Sequence, residues 1–148
     1  MGFLSGITVS GGEATLQLKF IIALFTAIKA APDLAGVTCF VDSNGHLGAG
    51  SWARLLPVTD GVMLDIKAFD TDSHLALTGR GNAKSLASVR IVQAAGKLYE
   101  LRYLMVPGQN DRDQDIAALI GLAQEQGDDL RVKLNAYQHH GVKGPARD

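Results

Sequence analysis

The sequence predicts an α/β fold built around a parallel sheet. Three observations carry this expectation. Five short β-prone runs alternate with helical patterns along the chain. Most successive runs begin about 25 to 40 residues apart, the span of a βαβ unit. Polar and glycine-rich residues follow the strands, whereas the helix-to-strand turns are bland. Two architectures satisfy this pattern: an open doubly wound sheet and part of a (β/α) TIM-like barrel, both with right-handed crossovers. Barrels place their active sites at the carboxyl ends of the strands. Open sheets put ligands there too, so the preference for the barrel is modest. Five strands cannot close an eight-stranded barrel, so the expected barrel is truncated. The strand order expected is that of the chain, all parallel.

The elements follow in order. Gly6 to Ser10 is a strand stopped by Gly11-Gly12. Leu16 to Ala30 reads as a helix, with Ile21, Leu24, Phe25 and Ile28 on one apolar face and Pro32-Asp33 ending it. Val37 to Val41 is the second strand, stopped by Asp42-Ser43-Asn44-Gly45. A short helix follows, with Ser51 as its N-cap and Pro57 just past its end. Gly61 to Ile66 is the third strand. Asn82 to Ala95 is a helix burying Leu86, Val89 and Val92 and closed by Gly96. Leu98 to Val106 is the fourth strand. Asp111 can cap the next helix, whose face is Ile116, Leu119, Ile120 and Ala123 and whose end is Gly127. Leu130 to Tyr137 is the fifth strand, and the tail from His139 to Asp148 has little apolar content.

Composition narrows the function classes. The 148 residues are 47% hydrophobic and 20% charged, a globular balance with enough chain for one cored domain. Fourteen basic and fifteen acidic residues give a net charge of -1, so no global basic field exists to hold nucleic acid or an anionic membrane. The longest apolar run is far short of the roughly 18 residues a bilayer span needs. The start of the chain lacks a secretory signal pattern, and the chain is expected to be cytoplasmic. One cysteine, Cys39, leaves no internal disulfide and no four-cysteine metal site. Glycine is 17 of 148, an excess that suggests tight turns where backbone approaches something.

Several candidate sites follow. Ser10-Gly11-Gly12-Glu13 lets a ligand approach the main chain: N–H groups there favour an anion, and carbonyls with the Glu13 carboxylate favour an ammonium. A plain βα turn with an acid in the first helical turn explains the same residues about equally well. The block is neither a Walker loop nor a dinucleotide fingerprint. Asp42-Ser43-Asn44-Gly45 is a turn-forming run, and Asp65 with Lys67 is an ion pair at a strand end. Together, Glu13, Asp42 and Asp65 converge at the ends of three consecutive strands and repel one another unless a cation or ammonium sits among them. Hard oxygen ligands suit an alkali or alkaline-earth ion. Tyr137-Gln138-His139-His140-Gly141 lies past the fifth strand, where adjacent histidines make a poor chelate and a polar strand end explains the residues about as well as a ligand contact. The loop Thr78 to Asn82 binds phosphate through Arg80 or, as the better reading, is a helix-capping turn.

In order, five blocks resemble one family. They are Thr8 to Ala14, Asp42 to Gly45, Val62 to Lys67, Leu77-Thr78-Gly79 with Asn82, and Arg102 to Gly108. They are similar to the activating enzymes of glycyl-radical enzymes, with pyruvate formate-lyase activating enzyme as the type. The tail from Leu134 to Gly141 looks more like a divergent subgroup. The resemblance implies a radical S-adenosylmethionine enzyme on a partial barrel. In it a reduced 4Fe-4S cluster, held by a Cys-x3-Cys-x2-Cys loop, cleaves S-adenosylmethionine, and the 5′-deoxyadenosyl radical removes hydrogen from a glycine of the partner enzyme. By resemblance, Ser10, Gly11, Gly12 and Glu13 hold the methionyl amino group, and Lys67 meets the carboxylate. Asp42, Ser43, Met63 (main chain) and Asp65 match a monovalent-cation site. Arg102, Gln138 and His140 contact the cofactor. Partners implied are a glycyl-radical enzyme and an electron donor such as flavodoxin.

The departure is the cluster motif, which this sequence lacks. Residues 1–148 therefore read as a single core fragment, strands two to six of the barrel, without the first cluster-bearing unit or the C-terminal elements. Such a fragment is expected to be inactive alone. The exposed first strand, through Ile7 to Ser10, is expected to pair with a second copy. Two other readings stand beside this one: a metal-dependent or Schiff-base barrel lyase or isomerase using Lys67, and a half-barrel binding module without catalysis.

Overall fold

The computed structural model describes residues 5–127 and 129–137. Five strands form one sheet: β1 (Gly6–Val9), β2 (Thr38–Ser43), β3 (Gly61–Ile66), β4 (Leu98–Met105) and β5 (Arg131–Ala136). Their order is β1-β2-β3-β4-β5 and every pair is parallel. The helices α1 (Leu18–Ala30), α2 (Ala49–Leu55), α4 (Ala83–Ala94) and α5 (Asp113–Gln126) fall in the crossovers, and α3 (Thr71–Thr78) precedes α4 after β3. Among the described residues the sheet does not close, consistent with a partial barrel.

Residues in register on parallel strands share a sheet face, and successive residues alternate faces. One face carries Ile7, Cys39, Val41, Val62, Leu64, Ile66, Leu101 and Tyr103. These join Ile21, Phe25, Trp52, Val89, Val92, Leu119 and Leu122 from the helices in one core. Burying each aliphatic side chain of this kind contributes roughly 1.5–3 kcal/mol. The other face is polar: Asp42 is in register with Met63, Met63 with Glu100, and Asp65 with Arg102. A bulge between Val62 and Met63 skips Tyr99, so the charged residues of β4 come level with Met63 and Asp65.

Local chemistry revises several expectations. Asp42 and Ser43 belong to β2 because they pair with Met63 and Leu64. The first helix opens with a tight 3-10 turn, Ala14–Gln17, capped by Glu13. Helix α2 starts at Ala49 behind Gly48, not at Ser51, whose amide already donates to the Gly48 carbonyl. Buried Trp52 anchors that early start by donating its indole N–H to Ser88 Oγ at 2.7 Å. Pro57 lies inside a following 3-10 turn, Leu56–Val58, where its missing N–H costs nothing. Helix α3 had no sequence forecast because it lacks an apolar stripe; Asp70 caps it through Ser73, and Gly79 ends it at φ 72°. Asn82 stands before α4 without capping it, and its amide instead donates to the Phe69 carbonyl at 2.5 Å.

Asp111 accepts from the Gly108 amide, and Arg112 takes the cap position of α5. Ile120 is 52% exposed while Leu122 is buried. The inward stripe therefore runs Asp115, Leu119, Leu122, and the Asp115 carboxylate tolerates burial because Arg112 donates to it at 2.7 Å. Among the described residues no helix is long and apolar enough to cross a membrane.

Candidate functional site

The carboxyl ends of β1, β2 and β3 meet around a crevice of about 300 Å³ lined by Ser10, Gly11, Gly12, Asp42, Asp65 and Lys67, with Glu13 and Ser43. Gly11 and Gly12 follow β1 at φ 101° and 54°, and a Cβ at either would meet nothing within 4 Å. That conformation strains any other residue, and the open space leaves main chain bare to a ligand.

Glu13 is not a free carboxylate. Its Oε1 accepts from Thr15 Oγ1 and Ser43 Oγ, both at 2.7 Å, and from the Thr15 amide. Its Oε2 accepts from the Asn44 amide at 2.8 Å. The side chain thus clips the loop after β1 to the end of β2. What it leaves toward the crevice is main chain, from Ser10 to Gly12.

The other two acids are matched by the protein's own cations. Asp42 Oδ2 accepts from Arg102 Nη1 at 2.9 Å and from Ser10 Oγ at 3.1 Å. Asp65 Oδ2 accepts from Lys67 Nζ at 2.8 Å. Arg102 also donates to Glu100 at 2.7 Å and lies against Met63 Sδ. Burial works against the charged guanidinium, but Glu100 and Asp42 outweigh it and push the Arg102 pKa up. Repulsion among the acids, expected to require an added cation, is thus relieved within the chain. Among the described residues no group of three or more histidine, cysteine or acidic side chains could hold a metal ion.

Two further cavities adjoin the crevice through Lys67. One, of about 630 Å³, lies between α3 and the end of β4 and reaches Tyr137. The other, of about 420 Å³, opens beside Gly12 and reaches His46, His74 and Arg80. Arg80 lines the second of these cavities, and the Thr78–Asn82 loop ends α3 at Gly79, as a helix-capping turn would. Gln138 and His140 lie outside the described residues.

Sequence reasoning missed two residues that shape the site. Glu100, 7% exposed, shares the polar face with Arg102; a second charge two residues from Arg102 in an apolar strand was the available signal. Asn110, fully buried, donates to the Lys67 carbonyl at 2.6 Å and accepts from the Val106 amide, tying the end of β3 to the loop after β4. Asparagine in a Pro-Gly loop reads only as a turn former.

The sequence profile of the radical SAM superfamily matches residues 1–120. The chain belongs to the radical SAM superfamily. It is 42% identical over 123 residues to a pyruvate formate-lyase-activating enzyme of Streptococcus mutans, covering 80% of this chain and 46% of that protein. It is 32% identical over 138 residues to pyruvate formate-lyase 1-activating enzyme of Escherichia coli, covering 92% of this chain and 54% of that one. The chain thus spans about half the length of the curated relatives it matches. In structure it is similar to a domain of pyruvate-formate lyase-activating enzyme from Bacteroides vulgatus, with TM-score 0.77 at 19% identity, over 96% of this chain and 86% of that one. That likeness shows the fold, a radical SAM-type partial barrel.

Members of the superfamily use S-adenosylmethionine and a 4Fe-4S cluster. The open glycine turn and the Lys67 ammonium line one crevice, a donor and acceptor set of the kind an amino-acid group requires. The cluster does not fit this chain. Its one cysteine, Cys39, is fully buried near the start of β2, and burial pushes its thiol pKa up. A buried, neutral thiol facing the core is no iron ligand.

Proposed function

We propose that the chain is the middle part, strands two to six, of a cytoplasmic radical SAM activase that installs a glycyl radical on a partner enzyme. The 42% identity to an activating enzyme over most of the chain carries this reading. The bare main chain at Ser10 to Gly12 would accept the methionyl ammonium, with Glu13 holding that turn in shape. Lys67 would meet the methionyl carboxylate by turning from Asp65, 2.8 Å away. Arg102 would border the cofactor from β4, with Gln138 and His140 contributing from beyond β5. Asp42, Ser43, Asp65 and the Met63 main chain would hold a monovalent cation, which must then compete with Arg102 for Asp42. When bound and reduced, S-adenosylmethionine supplies the radical that takes hydrogen from the partner's glycine.

Thiolates for the cluster must come from outside these 148 residues, so the chain alone should be inactive. An electron donor such as flavodoxin belongs to the same proposal. So does self-association through β1, which among the described residues has β2 as its sole strand neighbour. The polar sheet face, in register from Asp42 through Glu100, suits a barrel interior, which both enzyme readings share; the identity to activating enzymes favours the activase over a Schiff-base barrel lyase using Lys67.

A chimera tests the proposal: this chain replaces the matching segment of the Streptococcus mutans enzyme, reconstituted with iron and sulfide. Methionine and 5′-deoxyadenosine should appear under reduction, and a glycyl doublet should appear on added pyruvate formate-lyase by electron paramagnetic resonance. A chimera with intact cluster absorbance that yields neither refutes it.

A further inference from the structure

The cavity beside Gly12, about 420 Å³, lies outside the crevice assigned to the methionyl end. Its lining combines apolar and cationic side chains in a way the cofactor reading does not use. Leu16, 81% exposed, stands at the lip, and Leu47 forms a second apolar wall. Arg80, on the loop after α3, lines the same cavity, and its guanidinium has no hydrogen bond or ion pair among the described residues. Lys84, exposed in the first turn of α4, is likewise unpaired among them. The one acid in the lining, Glu13, has both carboxylate oxygens occupied by donors of its own loop. Lys67, which also lines the cavity, is neutralised by Asp65. The unmatched charge of the cavity is therefore positive. His46 reports it: burial first, then Lys84, Arg80 and His74, hold its pKa below the ordinary value.

An exposed leucine beside unpaired cations, at the rim of a reaction crevice, is complementary to an acidic and apolar peptide. We propose that the cavity bounded by Leu16, Leu47, His46 and Arg80, with Lys84 at its edge, is a docking site for a segment of the protein partner bearing a carboxylate next to an apolar side chain. The inference rests on the activase reading, because an activase must hold a polypeptide over its crevice. The carboxylate sits between Arg80 and Lys84, and the apolar neighbour covers Leu16. The shared wall at Gly12 and Lys67 makes this site continuous with the crevice, so a segment docked here leads chain toward the cofactor.

The test is fluorescence anisotropy on the 148-residue chain with a labelled, terminally blocked heptapeptide of alternating leucine and glutamate. Its glutamine analogue serves as the neutral control. The glutamate peptide should bind at least about tenfold tighter than the glutamine one, as expected where a charge-assisted contact is lost. Arg80→Glu/Lys84→Glu should weaken it by a similar factor with unchanged circular dichroism, and Leu16→Ser should weaken it several-fold. Binding should also weaken between about 50 and 500 mM salt, as screening shortens the reach of the cations. Equal affinity for both peptides, or an unaltered double variant, overturns the proposal. Full displacement by 1 mM succinate or phosphate, about the strength of a free small anion, assigns the pocket to such an anion and overturns the peptide. Cleavage of S-adenosylmethionine by the chimera is measured separately. Its loss with peptide binding intact refutes the activase reading and leaves this site standing.

Discussion

Replacing Glu13 by alanine separates two roles for the same carboxylate. As a ligand for a cofactor ammonium, its loss would weaken binding and leave the fold untouched. The structure makes it the clip between two loops. Four donors lose their acceptor together: the Thr15 amide and hydroxyl, the Ser43 hydroxyl and the Asn44 amide. Thr15 and Ser43 are 7% and 3% exposed, so water replaces the carboxylate poorly there. An orphaned buried donor costs about 1–3 kcal/mol, and loss of an N-cap about 1 kcal/mol. Partial relaxation brings the total to about 2–4 kcal/mol. In a domain of this size each kcal/mol lowers the melting temperature by about 2–4 °C, so Glu13→Ala should melt about 4–16 °C lower. Glu13→Gln keeps one acceptor oxygen but sets an amide donor against the Asn44 or Ser43 donor, and should lose about half as much. Thermal melts by far-ultraviolet circular dichroism read both. A Glu13→Ala protein melting within about 1 °C of wild type would refute the clip.

Three further outcomes are expected. Asp60 is desolvated, which raises its pKa, but Lys29 at 2.5 Å and the Cys39 amide outweigh this and hold the carboxyl below its usual value. Asp115, held first by its hydrogen bonds from Arg112, shifts the same way. Both contributions are therefore fully present above the unfolded carboxylate pKa and are lost as pH falls through the lower folded values. Urea midpoints should decline below about pH 4, and Asp60→Asn should flatten that decline; an unchanged slope would remove Asp60 from the account. Cys39 should resist Ellman's reagent in the native chain and react on unfolding, and iron with sulfide should give the chain no cluster absorbance; native-state labelling at the unfolded rate would contradict its burial. Calorimetry of S-adenosylmethionine on the chain should show binding weaker than micromolar, because the chain alone offers the methionyl end only the Ser10 to Gly12 turn and Lys67 in an open crevice, while Asp65→Ala in the chimera should impair cleavage. Micromolar binding would show that the chain needs no cluster to hold the cofactor, and normal cleavage would remove the cation site.

The strands, their parallel order and the helical core were legible in the sequence, because apolar period is local: Ile21, Phe25 and Ile28 declare their face without reference to the sheet. The candidate residues were legible as strand-end polar runs for the same reason. Helix α3 was not, since a capped helix with no apolar stripe has no periodic signal. Nor was the true face of α5, where Ile120 stays exposed and the buried positions include Asp115, a charged residue paired with Arg112 that an apolar pattern does not register. What each site residue does was decided by tertiary structure alone. The sequence placed Glu13, Asp42 and Asp65 together and left their charge to be balanced from outside. Strand register and one bulge at β3 then brought Arg102, 60 positions from Asp42, to within 2.9 Å of it, and brought Ser43 and Asn44 onto Glu13. Electrostatic partners across a parallel sheet are set by crossover length and register, which no local pattern of residues encodes.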